Sequence, residues 1–242
     1  RVSDSELAWR SIYNPKVIIA ADLSASNLSD YRCVILANVT RLPEDALSLL
    51  TDFVTNGGGL WIAAGDRMDR SFFNETIYDQ GRGLSPLPLG DAIGDARDQS
   101  RFDLIHPPMS PHPATRLLSD TERLDIENAH VYRWYPFESN KTSDNVSVFL
   151  RAGQGAPLVV EKSVGQGRVI VQGIPLGVAW SNLPLCQAYV VIVHEWLSYL
   201  IEPTRTRWSV EPGEPFAASF SPGTYDAQAT IHKPGGGTIP TE

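Results

Sequence analysis

Cysteine is scarce: Cys33 and Cys186 are the only two in 242 residues. They stand far apart, and neither has a second ligand at metal-binding spacing. Cys33 lies inside "YRCVILANV", an apolar run that reads as a buried strand and makes it an inert thiol. A disulfide between the two stays open, so cysteine usage assigns no compartment. Basic excess is lacking too. A net charge of −8 argues against nucleic acid, whose phosphates want a basic face. Long apolar stretches are missing: "AYVVIV" is among the longest, far short of the roughly 20 residues of a membrane span. No direct membrane contact is expected from this segment. Its start at Arg1, with neither Met nor a signal peptide, reads as a piece of a longer protein.

Familiar catalytic and metal signatures are absent as well. "HEWLS" lacks the second His of a zinc H-E-x-x-H helix. "IHPPMSPHP" offers His106 and His112 among prolines, with no acidic or Cys ligand between them. "NGGGL" and "GQGRV" fit neither the dinucleotide fingerprint nor a P-loop. No metal and no cofactor is expected.

What is present is globular: 42% hydrophobic and 20% charged residues, outside the range of disordered chains. "KVIIAADLS" (16–24) and "YRCVILANV" (31–39) read as strands buried on both faces. Between 43 and 57, Pro43, Glu44 and Asp45 suit a helix start. Ala46, Leu50, Phe53 and Val54 share one face, and Gly57 suits the stop. "GLWIAAG" (59–65) is the next strand, so strand, helix and strand form a βαβ unit. Residues 74–120 are rich in Pro and Gly and read as irregular. Residues 124–138 return to extended structure. "APLVVEKSVGQGRVIVQG" reads as a hairpin turning at Gly165-Gln166-Gly167. "LPLCQAYVVIVHEWLSYLIE" predicts an amphipathic helix with Tyr189, Val193, Trp196, Leu197 and Leu200 inward and Asn182 or Ser181 as N-cap. Trp61, Trp134 and Trp196 take core-like positions, whereas Trp180 stands in a loop, where it either plugs a pocket or presents itself to a partner. After Pro203 the texture turns to alternating polar and apolar residues, the start of an all-β unit.

"YRCVILANV", the acidic helix, "FVTNGGGLWIAAGD", "GQGRVIVQGIPLGVAWSNLPL" and "VVIVHEWLSYL" together resemble the class I glutamine amidotransferase-like domain over residues 16 to 201. More narrowly, they resemble the version found in bacterial membrane proteins with a BatA-like segment and a von Willebrand factor A-like domain. The resemblance implies an α/β, three-layer flavodoxin-like sandwich with a mostly parallel sheet over residues 1–202, and the alternation after Pro203 adds a partial β-sandwich (Ig-like) module over 203–242. It also implies an extracytoplasmic setting in a membrane-anchored protein. Active members carry a Cys at the turn after a strand like "LWIAAG", and a His-Pro-Glu after a late strand. Here those places hold Gly65-Asp66-Arg67 and Ile174-Pro175-Leu176. No catalytic residue is therefore assigned, and the expectation is a pseudoenzyme.

The strand C-terminal ends are the ligand side of such sheets. The candidate ligand- or partner-binding residues are Asp22, Asn38, Asp66, Arg67, Trp180 and Asn182. Expected partners are other proteins or flanking domains of the same chain, with a small ligand possible at the strand ends. A solvated turn of local ion pairs is the plain reading of Asp66, Arg67, Asp69 and Arg70. Two other functions compete: a hydrolase or amidotransferase with a displaced active site, and a structural spacer.

Overall fold

The computed structural model describes residues 13–106, 108, 112–119, 124–138, 146–202, 230–233 and 237–240. The chain divides into two compact units, Arg1–Thr204 and Arg205–Glu242.

In the first unit, β1 (Cys33–Ala37) leads to α1 (Glu44–Thr55) and β2 (Gly59–Ala63). Short strands follow: β3 (Ile93–Gly94), β4 (Asp103–His106), β5 (His130–Val131) and β6 (Arg133–Trp134). Then come β7 (Ser147–Ala152), β8 (Ala156–Val164), β9 (Gly167–Gln172) and α2 (Gln187–Ile201). The main sheet has the order β1-β2-β9-β8-β7-β4-β5. It is parallel across β1, β2 and β9, and antiparallel from β9 outward. The tight turn at Gly165, where φ is +59°, reverses the chain between β8 and β9. The fold class is thus α/β and flavodoxin-like, with a mixed sheet.

β2 shows why the sheet has two covered faces. All five of its residues are buried. Leu60 and Ile62 join one core with Ala46, Leu50 and Val54 of α1, while Trp61 joins the other with Ala188, Ile192 and Trp196 of α2. Alternate side chains of a strand point to opposite faces, so an unbroken apolar strand demands a layer on each side. Gly57, at φ +105°, stops α1, and its N–H donates to Val54 O at 2.9 Å.

Three expectations are corrected here. Residues 16–24 form no strand: Val17 is 93% and Ile19 66% exposed, and Ala20–Asp22 is a 3-10 turn. The apolar run has no ladder partner, and only Leu23 of the run is buried. The buried stripe of α2 is Ala188, Ile192, Trp196 and Leu200, turned from the expected one, with Tyr189, Val193 and Leu197 partly buried. Neither Asn182 nor Ser181 caps α2. A 3-10 turn, Leu183–Leu185, intervenes, and the Asp125 carboxylate accepts the N–H groups of Gln187 (3.1 Å) and Ala188 (3.0 Å). These bonds hold the Asp125 carboxyl below its usual range, Ala188 contributing most.

Of the second unit the structure describes an antiparallel pair, β10 (Thr230–Lys233) and β11 (Gly237–Pro240). The rest of the β-module expected over 203–242 lies outside the described residues.

Candidate functional site

The C-terminal ends of β1, β2 and β9 lie side by side, and backbone bonds tie them. Asn38 N–H donates to Ala63 O (2.9 Å), and Ala64 N–H donates to Gln172 O (3.0 Å). Asn38 follows β1 in the left-handed region, φ 53°, which Asn tolerates better than most residues. That turn aims its amide at the β2 loop. Nδ2 donates to Asp66 Oδ1 (2.7 Å), and Oδ1 accepts from Arg67 N–H (3.0 Å). Gly65 makes room for it: a Cβ there would stand 2.5 Å from Asn38 Cγ. Asp66 and Arg67 are exposed. Next to them, Asp69 accepts from Phe72 N–H (3.0 Å), starting a helical turn, and pairs with Arg41 (2.6 Å). Phe72 N–H first, and then Arg41, hold the Asp69 carboxyl below the usual carboxylate range.

Of the six candidates, the structure brings together Asn38, Asp66 and Arg67. Asp22 is exposed on the 3-10 turn Ala20–Asp22, and no described contact joins it to that trio. Trp180 is 3% exposed, which fits the space-filling role. Its ring packs against Tyr135 (5.6 Å) under the Arg133 guanidinium (5.1 Å). Tyr135 N–H in turn donates to Gly173 O (2.9 Å), so Trp180 fills space beside the β9 end. Asn182 is a staple. Its Oδ1 accepts from His130 N–H (2.6 Å) and its Nδ2 donates to Asn128 O (3.1 Å).

No thiol stands at the strand ends. Cys33 opens β1 at the opposite end, and burial pushes its thiol up to about 12. Cys186 is buried just before α2, and burial and then the Asp125 charge push its thiol up. At the end of β9, Ile174 is buried, and the Leu176 carbonyl accepts from Tyr189 Oη–H (2.7 Å). His106 bonds Gly153 O, and His130 stacks on Phe102. Among the described residues no group of three or more His, Cys, Asp or Glu is placed to hold a metal ion.

Two polar positions escaped the sequence reading. Gln172 is buried at the end of β9, where its Oε1 accepts from Trp61 Nε1–H (2.9 Å) and its Nε2 donates to Ile174 O (2.8 Å). The signal was a lone Gln closing "RVIVQ". Glu161, buried mid-strand in β8, accepts from Tyr199 Oη–H (3.2 Å). Burial pushes the Glu161 carboxyl up, against the pull of Tyr199, Ser147 and Arg168. Burial, with the Glu161 charge behind it, pushes the Tyr199 phenol up. The signal was a charge inside "LVVEKS".

No family model and no curated protein sequence matches the chain. Solved structures do. A cytoplasmic protein of Salmonella typhimurium matches at 16% identity over 75% of this chain and 78% of that one, with TM-score 0.53. A second, from Salmonella typhimurium LT2, matches at 15% over 72% and 73%, also with TM-score 0.53. A ThuA-like protein from Bacteroides uniformis matches at 11% over 72% and 70%, with TM-score 0.46. The likeness is one of fold. The two Salmonella proteins share an α/β architecture with this chain, and the narrower BatA-like form of the sequence resemblance is not shown. The extracytoplasmic expectation is corrected. The two Salmonella proteins are named as cytoplasmic, and among the described residues no helix is long and apolar enough to cross a membrane.

Proposed function

We propose that this chain is a non-catalytic, amidotransferase-like domain that receives a small polar ligand or a protein loop at the C-terminal ends of β1 and β2. The observation that carries the reading is Asn38. Its amide spans the two loops and holds Asp66 and the Arg67 backbone, while both of their side chains stay exposed. A binding site needs such a preset polar rim. An acyl-transfer enzyme needs a nucleophile with a base in hydrogen-bond reach. The positions that the resemblance assigns to them hold Gly65, Ile174 and Leu176. Without a base, a carboxylate such as Asp66 forgoes the roughly 10²–10⁴-fold that general acid–base catalysis supplies. The setting we propose is the cytoplasm, following the names of the two Salmonella proteins.

The test is ammonia release from glutamine by the purified chain. The expected rate equals that of buffer, for wild type and for Asp66→Ala alike, while Asp66→Ala alters stability or partner binding. A rate well above buffer that disappears in Asp66→Ala would sink the proposal and establish a displaced active site.

A further inference from the structure

The parallel side of the sheet ends at β1, and among the described residues nothing pairs with its outer edge. The ladder shows which groups are left over. Gly59 N–H donates to Arg32 O, and Asn38 N–H donates to Ala63 O. In a parallel ladder alternate residues turn their N–H and C=O to the same neighbour. Arg32, Val34, Leu36 and Asn38 therefore face β2, and Cys33, Ile35 and Ala37 turn their backbone groups outward. Natural edges are blunted by Lys, Pro, a bulge or a cover. The β1 sequence, CVILA, has no such residue, its register with β2 is unbroken, and Ile35 is 41% exposed.

The same molecule holds an unused strand. Val17, Ile18 and Ile19 are 93%, 40% and 66% exposed, with Ile19 extended at φ −82° and ψ 151°. Three consecutive β-branched residues favour a strand, yet they enter no ladder. An open apolar acceptor edge and an unpaired apolar donor in one chain satisfy each other when two copies exchange them. The exchange is reciprocal, as a two-fold interface requires, and it supplies the backbone partners that an edge strand presents.

We propose that two copies of this chain dimerise by strand exchange, the Val17–Ile19 segment of each pairing with the β1 edge of the other. The interface lies at the side of the sheet and is independent of the ligand reading at the strand ends.

Light scattering on the 242-residue chain, up to about 100 µM, tests it. The expected mass is that of two 26.6 kDa chains. Val17→Asp and Ile35→Lys each weaken the dimer at least about tenfold. Because both residues are exposed, neither lowers the thermal midpoint of the monomer. An equimolar mixture of the two variants regains a heterodimer, since one exchanged strand stays intact. A wild-type monomer throughout the range overturns the proposal. So does a dimer that Ile35→Lys breaks and Val17→Asp leaves whole, which would mean direct β1-to-β1 pairing.

Discussion

Polar groups gather in two parts of the first unit, and the contrast between them is instructive. At the C-terminal ends of β1 and β2, Asn38, Asp66 and Arg67 are at least partly open to solvent and bonded to one another. Where β8 meets α2, Glu161 is buried and Tyr199 partly buried, and burial displaces the protonation of both. Enzymes concentrate such displaced groups in their clefts. Here they lie where β8 meets the packed face of α2, while the strand ends, the ligand side of the fold, hold charges that water can reach. The Glu161–Tyr199 pair therefore belongs to the economy of packing, and the open trio is where the proposed ligand or protein loop would be received.

Substitutions at four positions sharpen or break that contrast. Trp61→Ala should be the most damaging. It empties the space against Trp196 (5.2 Å) and leaves Gln172 without its indole donor, at about 3–5 kcal/mol. Chemical denaturation measures it. A loss no larger than that of a strand-end variant would remove the difference in depth between the two regions. Asn38→Ala comes next, at roughly 1–2 kcal/mol, because it removes two hydrogen bonds and puts Ala in the left-handed region. Asn38→Gly should recover the backbone part of that loss and not the rest. An Asn38→Gly variant as stable as wild type would show that the amide bonds contribute nothing.

Asp125→Ala should cost about 1 kcal/mol, as capping residues do. The Asp125 carboxyl is depressed in the fold, so its stabilisation is complete above the unfolded carboxylate value and fades as pH falls through the folded one. The gap between wild type and variant should close in acid, and a gap constant with pH would refute the cap. Glu161→Gln is the smallest effect and has the opposite slope. The folded Glu161 carboxyl lies above its ordinary 4.5. Wild type therefore matches the variant below that value and falls behind as pH rises through the folded one. Thermal midpoints from acid to neutral pH would read this directly. A variant that gains nothing at neutral pH would mean that Glu161 keeps its charge comfortably.

The elements governed by local rules were legible in the sequence. Pro43, the acidic first turn and Gly57 bracket α1, and the unbroken apolar run "GLWIA" marks β2. The Gly165 turn marks the β8–β9 hairpin. Elements settled by distant contacts were not. Val17–Ile19 has strand composition but no neighbour to pair with. The start of α2 is capped by Asp125, which no nearby pattern announces. Of the site, Asn38, Asp66 and Arg67 were readable as polar residues beyond strand ends. Asp22 and Asn182 had the same residue chemistry at other places, and the loop position of Trp180 left a space-filling and an open role equally readable, of which burial selects the first.

The contact of Asn38 with Gly65 also bears on how such a domain changes over generations. A Cβ at position 65 would stand 2.5 Å from Asn38 Cγ, so Gly65→Cys forces the Asn38 amide to move. A moved amide gives up its bonds to Asp66 and the Arg67 N–H, so a side chain at position 65 and the lacing of the two loops compete for the same space. Gly65→Cys should therefore lower the thermal midpoint more in wild type than in an Asn38→Gly background. Additive effects of the two substitutions would show that they do not compete.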